Sequence, residues 1–353
     1  MIVPSRLQQQ KKMLFGCLLS EGILQTHYRK QLMTIKKLIP AAALLMVMGA
    51  AQAQVSIYGL IDASYGKNET IGETKYNFHS GGDNGSSDGN STTKIGIKGS
   101  QDVGSGYKAN FKLETGGITS DGQVNPGGAF FNRQAWVGFS GAFGELRLGR
   151  QDSVPFQTMV GFDLNGASNA ASAQMLSLAT PWSLVNGRQS RSLQYIAPAM
   201  GGLTAQFGFQ PESDNYTATT GNKANYSVGL TYTAGKLVVG FAAESARMDG
   251  DSSFSSIAAS YDFGVAKVEA GYANGGTGLK GSNVGVVVPV AGFNVGLTYA
   301  KNSESNGSAA TEFFVNREIF KNTYAYFDYG NLDKANAIFL KGNTTAVGVI
   351  YVF

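Results

Sequence analysis

Thr344-Thr345-Ala346-Val347-Gly348-Val349-Ile350-Tyr351-Val352-Phe353, the last ten residues, carry apolar or aromatic side chains at every second position and stop on a phenylalanine. Successive residues of a strand point to opposite faces, so Val347, Val349, Tyr351 and Phe353 share one face. Such a face suits hydrocarbon, and a soluble strand seldom ends on a free aromatic terminus with no polar tail. The spacing predicts a strand with lipid on one side.

The same period of two recurs upstream. It predicts strands near 55–65, 92–100, 106–115, 131–140, 144–151, 191–197, 202–210 and 224–233, then near 236–245, 254–263, 265–273, 282–289, 292–301, 311–318, 322–330 and 344–353. Leu237, Val239, Phe241 and Ala243 share one face, and Phe293, Val295, Leu297 and Tyr299 another, with small or polar residues between them. A soluble barrel would turn such faces inward, so alternation alone leaves open which side is wet. The connections bear on that question. Residues 101–105, 141–142, 234–235, 264 and 290–291 are short links, whereas 66–91, 116–130, 152–190, 211–223 and 331–343 are long and rich in Gly, Asn, Ser and Asp. Long and short links alternate, as in barrels with tight turns at one rim and loops at the other. The expected fold is all-β: a transmembrane antiparallel β-barrel of about 16 strands, too wide for side chains to fill.

The other end of the chain reads as a targeting segment. Lys36 and Lys37 precede the apolar run Leu38 to Met48, and Ala51-Gln52-Ala53 then offers a small-x-small cleavage pattern. Residues 33–53 are expected to be a secretory signal peptide, with the barrel domain in 54–353 and residues 1–32 an upstream extension from a start codon assigned too early. The first 53 residues hold seven of the 28 basic side chains (Arg6, Lys11, Lys12, Arg29, Lys30, Lys36, Lys37) and one of the 24 acidic ones, Glu21. What remains is slightly acidic, so the basic whole-chain balance is no sign of nucleic-acid binding. Cys17, the single cysteine, falls in the same segment, so no disulfide is expected beyond it. After Ala53 no apolar run is long enough for a membrane helix, while tilted strands of about 9 to 11 residues fit.

Three stretches carry a family likeness: Gln54-Val55-Ser56-Ile57-Tyr58-Gly59-Leu60-Ile61-Asp62, Phe131-Asn132-Arg133-Gln134-Ala135-Trp136-Val137-Gly138-Phe139 and Gly144-Glu145-Leu146-Arg147-Leu148-Gly149-Arg150-Gln151. With Lys94 to Ser100, Ser192 to Pro198 and terminal Phe353, residues 54–353 resemble the general diffusion porins of beta-proteobacteria. The resemblance implies a homotrimer in the outer membrane, among lipid and lipopolysaccharide, that passes small ions and solutes by passive diffusion without a cofactor. It implies sixteen strands and a long third loop folded into the lumen, for which 152–190 is the candidate. That stretch holds apolar residues such as Val154, Phe156, Met159, Phe162, Leu176 and Trp182, which a freely exposed loop would not favour. A lid packed on neighbouring loops is the alternative. The ending at Phe353 resembles the C-terminal strand that the outer-membrane assembly machinery recognises.

Charge then orients the strands, because a Lys or Arg facing mid-bilayer lipid costs roughly 2 to 4 kcal/mol. With Ile95 and Ile97 toward lipid, Lys94 and Lys98 turn inward; Phe111 and Leu113 do the same for Lys108, Lys112 and Glu114, and Leu146 and Leu148 for Glu145 and Arg147. Arg133 breaks the alternation, which calls for a bulge or a rim position, and Arg150 and Arg191 border the long loop, where parity lapses. The resemblance places pore-wall arginines at Arg133, Arg150 and Arg188, opposite loop acids such as Asp152 and Asp163; rim charge is the alternative for each. Against these bases stand Asp62, Glu114, Glu145, Asp152 and Asp163, with Asp262, Glu269 and Glu312 in later strands able to offset them. The excess predicts mild anion preference.

Catalysis is not expected. Residues 54–353 hold one histidine, His79, and no cysteine, so neither a zinc site of the usual His and Cys ligands nor a cysteine nucleophile can be assembled. A serine paired with His79 is the enzyme alternative, without a recognisable motif. An adhesin or structural barrel, and a substrate-specific channel, are the other readings.

Overall fold

The computed structural model describes residues 54–353 apart from 127, 179–180, 182–186, 213–222, 248–251, 277–278 and 305–306. The expected signal peptide, the upstream extension and Trp182 therefore lie outside the described residues. Seventeen strands follow one another: β1 (Gln54–Asn68), β2 (Asn77–Ser80), β3 (Lys94–Gly104), β4 (Tyr107–Gly116), β5 (Gln134–Gly141), β6 (Gly144–Asp152), β7 (Arg188–Ile196), β8 (Leu203–Gln210), β9 (Asn225–Ala234), β10 (Leu237–Glu244), β11 (Phe254–Asp262), β12 (Lys267–Asn274), β13 (Lys280–Val290), β14 (Phe293–Asn302), β15 (Ala309–Phe320), β16 (Thr323–Leu332) and β17 (Gly342–Val352).

Sixteen of them form a closed antiparallel barrel in which each strand pairs with its chain neighbours. Closure brings β17 beside β1, with Leu60 opposite Val352 and Asn68 opposite Thr344. Phe353 completes the seam: its N–H donates to the Gly59 carbonyl at 3.1 Å, and the Gly59 N–H donates back at 2.9 Å. The phenyl ring covers Gly59 so closely that a Cβ there would stand 2.4 Å from a ring carbon. The additional strand, β2, was not foreseen from the sequence, because four residues are too few for an alternation to register. It lies along the half of β1 around Ala63 to Gly66, while β3 pairs only with Gln54 to Leu60.

Turn chemistry separates the two rims. Strand pairs β3–β4, β5–β6, β9–β10, β13–β14 and β15–β16 are joined by two residues each. In two of these links both residues have positive φ, Ser105 (55°) with Gly106 (80°) and Ala291 (51°) with Gly292 (82°). That backbone follows the twist of the flanking strands. The long connections all lie at the opposite rim, as the alternation of link lengths predicts.

Burial within the strands is inverted relative to a soluble protein. On β1, Val55, Ile57 and Ile61 are at least half exposed, whereas Asp62 and Ser64 are buried. Leu297 and Tyr299 on β14 and Val347, Val349 and Tyr351 on β17 repeat the pattern, with Thr298, Ala300 and Ala346 buried between them. So large and continuous an apolar surface requires a nonaqueous neighbour. Aromatic pairs gather toward the strand ends. Tyr107 stacks on Phe139 at 5.2 Å at the short-turn rim, and Phe209 meets Tyr226 at 5.2 Å toward the other. Such girdles mark the two interfaces of a bilayer.

Candidate functional site

The polar face of β3 to β7 carries most of the bases singled out from the sequence. Glu114 on β4 is their hub: it accepts from Arg133 Nε at 2.6 Å and from the Tyr58 hydroxyl at 2.6 Å, and Lys112 Nζ lies 3.6 Å away. Lys98 and Lys112 are directly opposite one another on β3 and β4. Like charges in that position repel. The Tyr58 ring eases the conflict by taking both ammonium groups, at 5.2 and 5.4 Å from its centroid. Lys94 lies beside Arg133, since a Cβ on Gly116 would meet both side chains, at 2.3 Å for Arg133 Cδ and 3.2 Å for Lys94 Cβ.

The arginines that broke the alternation are now accounted for. Arg133 precedes β5 rather than belonging to it, so strand parity does not bind it and its side chain reaches back to Glu114. Arg150 sits in a bulge: the β6–β7 register passes from Gly149 opposite Ser192 to Gln151 opposite Gln189. Gly149 has a φ of 138°, and a Cβ there would stand 2.2 Å from the Ala135 carbonyl. Arg150 donates through Nε to the Asn132 carbonyl and through Nη1 to Ser190 Oγ, each at 2.6 Å. Arg188 Nε pairs with Asp152 Oδ1 at 3.3 Å. Arg191 is exposed and has a left-handed φ of 55° in the residues that the bulge skips. Arg147 pairs with Glu145 at 2.7 Å and lies over the Trp136 ring at 4.6 Å. Lys108 is exposed near the short-turn rim, opposite Asp102 and Ser140.

The long connection between β6 and β7 is ordered where it is described. Ser153 caps helix α1 (Val154–Met159) by accepting from the Phe156 N–H at 3.1 Å, with Pro155 in the first turn. Ser172 caps α2 (Ala173–Ser177) in the same way. Met159 and Phe162 pack with Ala242 of β10 and Ala258 of β11. Ala173 and Leu176 pack with Ala300, Ala310 and Leu332. These wall residues belong to the face opposite Phe241, Ile257 and Leu297, so the connection lies on the polar face of its strands. Burial of each large side chain contributes roughly 1.5 to 3 kcal/mol.

Glycines in the wall make room for that packing. A Cβ on Gly229 would come within 2.1 Å of Thr158 Oγ1, one on Gly240 within 2.4 Å of the Phe162 ring, and one on Gly330 within 3.0 Å of Ala171. Carboxylates complete the attachment. Asn165 Nδ2 donates to Glu312 Oε1 and Asp328 Oδ1, both at 2.9 Å, and the Ala173 N–H donates to Glu312 Oε2 at 3.1 Å. Asp163, expected to face the basic wall, is instead buried: it accepts from Ser172 Oγ at 2.7 Å and from the Asn165 N–H at 3.0 Å. Asp62, Glu269, Glu312 and Asp328 are likewise buried, whereas Asp262 is exposed and accepts from the Gly264 N–H in a turn. No local pattern in the sequence singles out Tyr58 or Asn165. For the glycine wall, glycines recurring on the polar parity of β8 to β16 are the available signal.

Comparison with known proteins places this architecture. Residues 41–337 match the family model described as Gram-negative porin. The chain belongs to the Gram-negative porin family. This porin is 32% identical over 251 residues to outer membrane porin protein 32 of Delftia acidovorans, covering 66% of this chain and 68% of that one. It is 29% identical over 314 residues to an outer membrane porin protein of Bordetella pertussis, covering 77% and 79%. Among solved structures, the anion-selective porin from Comamonas acidovorans shares the fold, with a TM-score of 0.65 at 23% identity over 86% of this chain and 100% of that one. The porin is thus a multi-pass β-barrel of the outer membrane that serves passive diffusion, and porins are not enzymes.

Proposed function

We propose that this porin is an anion-preferring diffusion channel, a homotrimer whose long third loop, the connection between β6 and β7, folds into each lumen and narrows it. The observation that carries the reading is an imbalance of accessible charge. Lys94, Lys98, Lys112, Arg133, Arg150 and Arg188 share one stretch of polar wall with Glu114 and Asp152. Of the strand acids that would offset them, Asp62, Glu269, Glu312 and Asp328 are no more than 2% exposed and are engaged in hydrogen bonds, while the exposed Asp262 lies away from the basic wall at the turn after β11. A buried, hydrogen-bonded carboxylate attracts passing cations far less than an exposed one, so the positive groups dominate the potential in the water beside them. The packing of α1 and α2 on the polar face supports the placement of the connection, and the solved anion-selective relative is consistent with the sign.

The test is the reversal potential of the reconstituted porin in a planar bilayer under a KCl gradient. Chloride preference, with conductance steps that close in threes, is expected. Potassium preference would overturn the selectivity, and a folded protein that never conducts would favour an adhesive or structural barrel.

A further inference from the structure

The connection between β1 and β3 contains a cluster with no part in the basic wall. Glu73, His79 and Asp88 each present a donor atom within 4.8 Å of the other two. His79 is on β2, opposite Ser64 of β1, and its side chain is 6% exposed. Its Nδ1 stands 3.4 Å from Asp88 Oδ2, and its Nε2 stands 3.7 Å from Glu73 Oε2. Nε2 is buried and makes no hydrogen bond. Among the described residues neither carboxylate pairs with a Lys or Arg; Asn84 Nδ2 bridges them, donating to Glu73 Oε1 at 2.9 Å and to Asp88 Oδ2 at 2.7 Å. Two buried or half-buried acids and a ring nitrogen without a partner thus converge where positive charge is lacking.

We propose that Glu73, His79 and Asp88 bind one divalent transition-metal cation of the zinc class. An imidazole among the ligands favours zinc or its neighbours over calcium and magnesium, which take oxygen alone. One ion takes a single ring nitrogen of His79, and one donor atom from each residue lies within 4.8 Å of the other two. Bonds of about 2.0 to 2.2 Å in a tetrahedron set donors about 3.4 Å apart, so the carboxylates need to close in only slightly on that nitrogen. Water completes the shell, and the ion displaces the Asn84 amide from between the carboxylates. Counting only His and Cys in the sequence overlooks such a site, because two of its ligands are acids that the loop folds back onto β2.

The cluster adjoins the hold on the connection between β6 and β7. The Asp88 carbonyl accepts from Asn169 Nδ2 at 3.2 Å, the Gly89 carbonyl from the Ala170 N–H at 3.1 Å, and the Asn90 carbonyl from the Asn169 N–H at 2.9 Å. Zinc would therefore stiffen the loop that clasps residues 169 and 170. Isothermal titration of the folded, EDTA-stripped porin in detergent with zinc chloride tests the site. His79 is the one histidine in residues 54–353, so the imidazole 15N signals of the mature chain report ligation directly. One zinc per chain is expected, bound about tenfold or more weakly by His79→Ala and Asp88→Asn, the loss that removing even an orienting neighbour of a ligand brings. Heat-modifiable mobility on gels checks that each variant is folded, and Glu73→Gln, at the exposed side of the cluster, serves where another does not fold. Absence of zinc binding, or binding that these substitutions leave unchanged, would overturn the proposal.

Discussion

Single residues set the charge that an ion meets. Glu114 is the carboxylate on which Arg133, Lys112 and Tyr58 converge, so it restrains the positive potential of the wall and orients the groups that create it. Glu114→Gln keeps the shape and removes the charge. One unit charge acting through about 10 Å of water shifts an ion's energy by about 0.4 kcal/mol, roughly a factor of two in concentration. Chloride gains that factor and potassium loses it, so the chloride-to-potassium permeability ratio should rise about fourfold, read from the reversal potential; no change would mean that the hub is screened from the path. Tyr58 was invisible as a functional residue because a tyrosine in an alternating strand usually reads as an interface aromatic. Its role depends on Lys98 and Lys112, which pairing across β3 and β4 brings opposite one another.

At the scale of elements, the attachment of the β6–β7 connection rests on shape as much as on hydrogen bonds. Gly240 leaves a space that the Phe162 ring fills, and Gly229 one that Thr158 fills. Gly240→Leu should force the segment off the wall at a cost of about 1 to 3 kcal/mol, the usual penalty of overpacking. A lower melting temperature of the folded band on gels and a noisier open current are the expected readouts; a quiet, equally stable channel would show that the segment is held elsewhere. The strands were legible because alternation is local, and the short turns because their residues tolerate positive φ. The helices α1 and α2 were not, being five or six residues long and held by packing on distant strands rather than by their own periodicity.

For the whole molecule, the apolar exterior is the organising fact. Leu297 is 48% exposed at the middle of β14, so Leu297→Lys places an ammonium toward hydrocarbon. It should cost roughly 2 to 4 kcal/mol, measured by urea-dependent folding into lipid vesicles. Ser100→Lys, on the exposed polar face of β3, should cost far less. Equal penalties would contradict the orientation of the barrel. The same inversion explains why the buried polar groups line strands rather than a compact centre: hydrocarbon solvates the outside, and the polar face of each strand turns the other way.

Sequence by itself determined the number of barrel strands, the order of long and short links and the side of the strands that meets lipid, because these follow from a two-residue period and the cost of charge in hydrocarbon. It also marked Lys94, Lys98, Lys112, Arg147 and Glu114 as polar-face residues. Only the tertiary structure decided that Arg133 reaches Glu114 from ahead of β5, that Arg150 sits in a bulge, and that Asp163 is buried, accepting hydrogen bonds from Ser172 and Asn165. It alone brought Glu73 and Asp88 to His79, and buried the acids of distant strands beneath one connection. Those relations depend on contacts between residues far apart in the chain, which no local periodicity encodes.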